Sequence, residues 1–305
     1  MNDMIERNQT AGHIAAFITI LIWGATYVST KLLLADFAPL EILFFRFVMG
    51  YFCLLLIYPH RVKTADFREE ALFIAAGICG VTLYFLLENI ALTYTLASNV
   101  GVIAAVAPFF TAILAHFFLD GERLHPQFFL GFVVSIIGVI LITFNGSFIL
   151  KLNPLGDFLA CCASVIWAFY SIIMKKISRL GYNIVGVTRK VFFYGLLFML
   201  PALLLMEFNW GLNRFVNISN AFNLLFLGVG ASALCFVSWN WAVGVLGAIK
   251  TSVYIYLVPV IAVVASAIVL HEKITPIALF GMLLILAGLF LSEKNKKVFV
   301  RKVAE

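Results

Sequence analysis

The sequence predicts an all-α membrane protein whose ten transmembrane helices form two inverted five-helix repeats. Three observations predict this fold class: an apolar composition, ten long apolar segments, and a second half that repeats the first. Of the 305 residues, 63% are hydrophobic and 12% are charged, whereas an average soluble domain has about 25% charged residues. We therefore expect lipid rather than water to surround most of the chain.

Ten apolar segments each approach the roughly 20 residues that a helix needs to cross a bilayer. The apolar runs are continuous, which favours helices, because a helix satisfies its backbone hydrogen bonds internally. The connections are short, so no soluble domain of any size is expected. The predicted helices cover residues 12–34, 40–58, 70–93, 98–119, 127–145, 155–175, 184–206, 220–244, 248–270 and 275–292.

Residues 89–142 are repeated, with substitutions, from residue 240 onward. The matched positions keep Gly, Pro, Glu and Asn at nearly constant spacing, which indicates an internal duplication. We divide the chain into a first repeat, residues 1–148, and a second repeat, residues 149–305, which ends in a basic tail. The matched pairs are Asn89 and Asn240, Pro108 and Pro259, Glu122 and Glu272, Gly131 and Gly281, and Gly138 and Gly288.

The charges of the loops predict the orientation, because Lys and Arg favour the cytoplasmic side. A cytoplasmic N-terminus leaves only Lys151, Arg214 and Lys273 outside. Both termini are then cytoplasmic, in a multi-pass protein of the plasma (inner) membrane, and five helices per repeat make the two repeats cross in opposite directions. The inner residues are Arg7, Arg61, Lys63, Arg68, Arg123, Lys175, Lys176, Arg179, Lys294, Lys296, Lys297, Arg301 and Lys302.

The first helices of the two repeats share a face as well. Trp23 and Lys31 lie about two helical turns apart, and Trp167 and Lys175 repeat that spacing in the sixth helix. With the matched pairs above, this pattern resembles the EamA-type permeases, the ten-helix branch of the drug/metabolite transporter superfamily, from Gly12 to Ser292. The resemblance implies a central pocket between helices one to four and six to nine, and export of amino acids and other small metabolites.

Glu88 is the one carboxylate that lies well inside a predicted span. A carboxylate in lipid is costly, so it predicts a functional site with a cationic partner. Tyr84 shares its helix face, and Lys31 and Arg46 are the candidate partners. A structural ion pair is the alternative interpretation.

The two repeats differ at matched positions, and we expect the substrate chemistry there. Lys250 stands where the first repeat has Asn99, and Trp239 stands where it has Glu88. Cations within or just inside the spans outnumber the one deep carboxylate, so we expect the substrate to neutralise some of them and to be anionic or zwitterionic. Snorkelling to the inner headgroups is the alternative for some of these cations. They are Lys31, Arg46, Arg189, Lys190 and Lys250.

Aromatic and amide side chains complete the predicted substrate site. Several tryptophans lie deeper than the interfaces where they are usually found, and aromatic walls with a few polar groups are typical of small-molecule sites. Ordinary helix packing is the alternative for each of them. The candidate substrate-binding residues are Trp23, Tyr27, Lys31, Arg46, Tyr84, Glu88, Asn99, Trp167, Tyr170, Trp239, Asn240, Lys250 and Tyr254.

Pro108 and Pro259 lie in the middle of the predicted fourth and ninth helices. A proline there removes a backbone hydrogen bond and kinks the helix, which would free the carbonyls of Ala104 and Ile255. Broken helices at matched positions of inverted repeats often surround a substrate. We therefore predict hinges at both prolines, with a static kink as the alternative.

Signatures of several other function classes are missing from the sequence. The cysteines and histidines show no metal-ligand spacing, no nucleotide-binding motif follows a strand, and the positive charge collects in loops and the tail. We expect no metal, no cofactor and no nucleic-acid partner. The seven-residue glycine spacing predicts close packing of helices five and ten or contact with a second subunit, which leaves monomer and homodimer open.

The predicted function is secondary transport of small organic metabolites such as amino acids, by alternating access and most naturally outward. Protons are a candidate coupling ion, and membrane lipid surrounds the chain. A polytopic enzyme that acts on lipid and a passive channel are the alternatives. The first would need an acid, base or nucleophile cluster near one membrane face, and the second a ring of equivalent polar groups.

Overall fold

The computed structural model describes residues 2–94, 100, 103–123, 125–144, 153–205, 208–269 and 274–293. These residues form the ten helices that the sequence predicts, and no strand occurs among them. The helices are α1 Asn2–Leu33; α2 Pro39–Ile57; α3 Phe67–Gly77, Ile78–Leu83 and Tyr84–Tyr94; α4 Ala107–Phe118 with helical residues 100 and 103–104 before it; α5 Pro126–Phe144; α6 Pro154–Ser178; α7 Ile184–Leu205; α8 Ile218–Leu225, Phe226–Leu234 and Cys235–Leu246; α9 Ala248–Ser252, Val253–Leu257 and Val258–Val269; and α10 Pro276–Glu293.

Most of these helices have the length and composition of membrane spans. Within the described residues, six are long and apolar enough to cross a bilayer, and three shorter helices are also apolar. Large apolar side chains such as Leu56, Leu204 and Leu205 are more than four-fifths exposed, as lipid-facing residues are. The chain is a multi-pass membrane protein. The six spans are Pro39–Ile57, Phe67–Glu88, Pro154–Ser178, Ile184–Leu205, Ile218–Leu246 and Ala248–Ala265.

The packing of α5 on α10 shows that the two repeats are inverted. Gly131 matches Gly281 in the duplicated sequence but packs on Gly288, whereas Gly138 packs on Gly281. A Cβ atom at Gly131 or Gly138 would lie 2.5 Å from the carbonyl oxygen of the facing glycine. The two equivalent helices therefore run antiparallel, and the recurrent glycines serve the close α5–α10 packing that the sequence predicted as one of two options.

Two π-helical segments occur at equivalent places in the repeats, which the sequence analysis did not predict. They are Ile78–Leu83 in α3 and Phe226–Leu234 in α8. The offset that relates Asn89 to Asn240 carries the first segment onto residues 229–234, inside the second. Such segments widen a helix locally and are frequent at functional sites.

Pro108 is not in the middle of a continuous helix, contrary to the sequence prediction. A turn at Ala105 and Val106 interrupts α4, and Pro108 is the second residue of the segment Ala107–Phe118. In the first turn of a helix the missing N–H of proline breaks no intrahelical bond. The interruption therefore precedes the proline, and the proline starts the next segment.

Pro259 has the same placement in α9. It is the second residue of Val258–Val269, directly after the 3₁₀ segment Val253–Leu257. The carbonyl of Ile255, which the sequence analysis expected to be free, accepts a hydrogen bond from the N–H of Val258. Both repeats thus depart from α-helical geometry just before the matched proline, by a turn in α4 and by a 3₁₀ segment in α9.

Polar contacts connect the helices at the end of the bundle where α8 meets α9, which we call the α8–α9 end. Gly247 alone joins the two helices, with a φ of 95° that only glycine adopts at no cost. The Glu122 carboxylate accepts the N–H groups of Ala248 and Ile249, both at 2.8 Å. Lys175 Nζ donates to the carbonyl of Gly244 at 2.6 Å.

A second polar cluster at the α8–α9 end joins α3 to α7. Lys190 Nζ lies 2.6 Å from a Glu70 carboxylate oxygen, and the hydroxyls of Thr64 and Tyr194 donate to the same carboxylate. Arg189 donates to the carbonyl of His60 at 2.7 Å and to the carbonyl of Tyr58. The opposite end, where α1 meets α2, is the α1–α2 end.

Candidate functional site

A cavity of about 500 Å³ lies between the two repeats, in the half of the bundle nearer the α1–α2 end. Its lining comes from α1, α2, α3, α4, α6, α8 and α9, and it includes residues at both helix breaks. This position agrees with the central pocket that the family resemblance implies. The lining residues are Trp23, Thr26, Thr30, Leu34, Pro39, Ile42, Leu43, Arg46, Tyr84, Phe85, Glu88, Val100, Ala104, Ala105, Ala107, Ser164, Trp167, Phe236, Ile255, Val258 and Pro259.

Aromatic side chains from both repeats form one wall of the cavity. Trp23 and Trp167, which occupy equivalent places in α1 and α6, meet edge to face with ring centroids 5.7 Å apart. Tyr84 packs on Trp167 at 5.0 Å, and Phe236 packs on Trp23 at 5.6 Å. Such ring pairs are more favourable than their buried area alone would suggest, so these contacts help to stabilise the wall.

Two opposite charges face this wall. Arg46 of α2 is 9% exposed, and its Nε donates to Ser232 Oγ at 2.9 Å. Glu88 of α3 accepts a hydrogen bond of 3.0 Å from the hydroxyl of Tyr84, one helical turn away. Both side chains are described, and no direct ion pair joins them, although the sequence made Arg46 a candidate partner of Glu88. The cavity therefore presents a cation and an anion to anything that enters it.

The π segment of α8 places two of the groups that organise the site. Trp23 Nε1 donates to the carbonyl of Ala231 at 2.9 Å, which fixes the indole at the edge of the cavity. Ser232, the next residue, is fully buried and is the hydroxyl that holds Arg46. The local widening of the helix thus positions both an aromatic and a cationic side chain.

Several predicted site residues lie outside the cavity lining. Tyr170 is fully buried and donates to Asn240 Oδ1 at 2.8 Å, and the Asn240 amide donates to the hydroxyl of Thr188 at 3.1 Å. This chain of bonds ties α6, α7 and α8 together. Trp239 is also fully buried and packs behind Trp23, with ring centroids 5.1 Å apart.

Tyr254 and the predicted cations of the second repeat lie toward the α8–α9 end. Tyr254 is paired with His13, whose Nδ1 is 2.8 Å from the tyrosine hydroxyl. Lys250 lies in the short segment Ala248–Ser252 and is absent from the described cavity lining. Arg189 and Lys190 belong to the polar cluster at the α8–α9 end, so protein groups rather than lipid headgroups bind them.

Three predicted site residues cannot be placed against the cavity. The side chains of Tyr27 and Lys31 fall outside the described part of the structure, as does all of Asn99. Of the two predicted hinge residues, Pro259 lines the cavity, whereas Pro108 follows the lining residue Ala107.

Several residues of the site were not predicted from the sequence. Phe85 and Phe236 line the cavity and match at the same offset as Asn89 and Asn240, so the duplication itself was a usable signal. Ser232 had no such signal, because the first repeat has Val81 at the equivalent position. No group of three or more metal-ligating side chains is found in the described ranges.

Comparison with known proteins gives the family. The EamA-like transporter family model matches residues 10–144 and again residues 154–293. An uncharacterized transporter of Archaeoglobus fulgidus is 26% identical over 92% of this chain and 96% of its own length. A protein of Streptantibioticus cattleyicolor, named a probable terminal-alkyne amino-acid exporter, is 26% identical over 92% of this chain and 93% of its own. The names given to these relatives describe transporters rather than enzymes.

One protein of known crystal structure has the same fold. It superposes with a TM-score of 0.76 at 18% sequence identity, over 93% of this chain and 96% of its own. At this identity the likeness establishes the fold alone.

Proposed function

We propose that this chain, which belongs to the EamA-like transporter family, is a secondary transporter that exports small organic metabolites such as amino acids by alternating access. The observation that carries the proposal is a cavity between inverted repeats that lies toward one end of the bundle. A carrier that alternates between two such one-sided states moves its substrate without opening a continuous pore.

Two features favour an amino-acid-like substrate. The cavity combines a cation, an anion and aromatic walls, which suits a molecule with an ammonium, a carboxylate and an apolar body. One relative is named a probable amino-acid exporter. Glu88 would then bind the ammonium group or a coupling proton, as the sequence suggested.

Transport by the purified chain in proteoliposomes tests this function. Vesicles loaded with unlabelled L-phenylalanine should accumulate labelled L-phenylalanine by exchange, and an added pH gradient should drive net movement. Vesicles without protein give the background. Equal leakage of ions and small neutral solutes through the protein would instead indicate a channel and would contradict the proposal.

The proposed location is the plasma (inner) membrane, with both termini in the cytoplasm, so that the α1–α2 end faces outward. Cysteine introduced at Asn213, which is exposed near the α1–α2 end, should react with an impermeant thiol reagent added to intact cells. Cysteine at Lys63, which is exposed at the other end, should react only after the cells are opened. The reverse pattern would overturn the orientation while leaving the transport proposal untouched.

A further inference from the structure

The cavity contains a guanidinium group whose hydrogen-bonding capacity is only partly used. Arginine has five N–H donors. Arg46 is nine-tenths buried, lines the cavity, and uses Nε on Ser232 Oγ at 2.9 Å. No other acceptor for this group is found among the described residues. A buried cation with free donors is costly unless something binds it.

The guanidinium group of Arg46 packs against two aromatic rings and is bonded through Nε alone among the described contacts. The guanidinium carbon lies 5.5 Å from the ring centroid of Phe47 and 5.4 Å from that of Phe85. With Nε bound to Ser232, the planar group has its two Nη atoms left. The two Nη atoms form the fork that matches a carboxylate in a bidentate manner.

The two candidate equivalents in the second repeat, Arg189 and Lys190, show the opposite arrangement, since protein groups bind both. Arg189, which lies near the matching place in α7, donates to the main-chain carbonyls of Tyr58 and His60. Its guanidinium therefore serves the packing of the α8–α9 end. Of the two arginines, Arg189 is therefore bound by main-chain groups of the protein, whereas Arg46 lines the cavity.

We propose that Arg46, held in position by Ser232, binds the carboxylate of the transported molecule, an inference that rests on the proposed function. The carboxylate lies against the Nη atoms of Arg46, and the apolar body of the molecule packs on Trp23, Trp167 and Phe236. Glu88 is not ion-paired with Arg46, so it remains available for a cationic group on the same ligand. Ser232 is a positioning residue, because it acts only through the arginine.

Four probes with one common phenylethyl body test the assignment. L-Phenylalanine carries a carboxylate and an ammonium, and 3-phenylpropanoate carries the carboxylate alone. L-Phenylalaninamide and phenethylamine carry the ammonium without a carboxylate. Binding of each to the purified full-length chain in nanodiscs is measured by calorimetry, and we expect the two carboxylate probes to bind more tightly than the amide and the amine.

Variants identify the residue responsible. Arg46→Ala should weaken the carboxylate probes on the order of 100-fold, since it removes one partner of a buried charged pair, and Arg46→Lys should recover part of the loss. Ser232→Ala should weaken them about 3- to 10-fold, a smaller loss because the guanidinium stays in the cavity and only its positioning hydrogen bond is removed. Neither change should weaken phenethylamine. Arg189→Lys, the matched control, should leave the ranking of the probes unchanged.

Three results would overturn the assignment: no binding of any probe, wild-type binding that favours phenethylamine or the amide, or an unaltered ranking in Arg46→Lys and Ser232→Ala. The ranking within one variant is the readout, because a folding defect would weaken all probes alike. The proposed function fails separately. The probes could bind as expected while the chain fails to exchange L-phenylalanine across the membrane of proteoliposomes. That result would support the carboxylate site and contradict the proposed transport function.

Discussion

The first and second repeats share a frame but contribute different chemistry to the cavity. Both have a π segment in the third helix, a break before the matched proline in the fourth, and a tryptophan in the first helix that reaches the centre. Among the described lining residues, both charged side chains, Arg46 and Glu88, belong to the first repeat. The equivalents in the second repeat are Arg189 or Lys190, bound at the α8–α9 end, and the buried Trp239.

The two repeats therefore share backbone features and differ in their charged side chains. Backbone features depend on Gly, Pro and close helix packing, and a change in one repeat would disturb its contact with the other. In the cavity, the aromatic pairs Trp23 and Trp167, and Phe85 and Phe236, are matched between the repeats, whereas the charged side chains Arg46 and Glu88 are not. We therefore expect substitutions of the matched glycines to lower stability equally in both repeats. Substitutions of charged residues should alter substrate binding or transport only where the side chain lines the cavity.

The largest expected effect is on energy coupling. Glu88→Gln should abolish uphill, proton-driven transport and retain downhill exchange, because an amide cannot take up a proton or pair with an ammonium group. Proteoliposomes with and without a pH gradient separate the two activities. Glu70→Gln is the control, since Glu70 is a carboxylate of the polar cluster outside the cavity. Uphill transport by Glu88→Gln at the parental rate would make Glu88 structural.

The next effect concerns the shared frame. Gly138→Ala and Gly281→Ala should each lower the free energy of unfolding by roughly 1–3 kcal/mol, because the new Cβ would lie 2.5 or 2.7 Å from the facing carbonyl oxygen. Thermal unfolding in detergent measures both. Gly230→Ala, whose Cβ would meet nothing closer than 3.6 Å, should be nearly neutral. A large loss at one glycine only would show that the α5–α10 contact is not symmetric.

A similar loss of stability, without a loss of function, is expected at the α8–α9 end. Lys190→Met removes the ion pair with Glu70, whose side chains are 16% and 24% exposed, and should cost about 1–3 kcal/mol. The apparent affinity for L-phenylalanine should not change. If the affinity falls together with the stability, this cluster is coupled to the cavity. Arg46 would then not be the only one of the matched cations that affects binding.

The smallest effect is expected at Lys250. The excess of cations in the predicted spans made Lys250 a candidate substrate-binding residue. In this conformation it lies outside the described lining of the cavity. Lys250→Ala should therefore alter L-phenylalanine binding by no more than ~1 kcal/mol, the effect of an exposed charge. Calorimetry checks this against Lys250→Arg. A larger loss would show that Lys250 reaches the substrate in another state of the cycle.

The fold could be predicted from the sequence almost completely, because it follows from long-range regularities. Apolar segments give the helices, and the duplicated glycines give the α5–α10 packing. The sequence also located the irregular regions of α4 and α9 to within about one turn of the matched prolines, but not the residues at which each segment ends. The effect of proline depends on its place in a segment, and a sequence pattern does not show where the preceding segment ends.

The site was predicted less well, because it depends on local geometry. Trp23, Arg46, Tyr84, Glu88 and Trp167 do line the cavity. Helix periodicity places a residue on a face, yet a π segment rotates the face that follows it. Nothing in the sequence indicated that rotation. The sequence also does not distinguish polar residues that bond to each other, such as Tyr170 and Asn240, from polar residues that line the cavity.

Gly247 has a mechanical consequence for the transport cycle. Leu246 and Ala248 are separated by two Cα steps, which span at most about 7 Å, so the adjoining ends of α8 and α9 cannot move far apart. If the α8–α9 end opens in the proposed transport cycle, both helix ends must move together, and moving them away from Glu122 would break its hydrogen bonds with the Ala248 and Ile249 amides. In that movement we expect α9 to bend farther along, at the 3₁₀ segment Val253–Leu257 before Pro259.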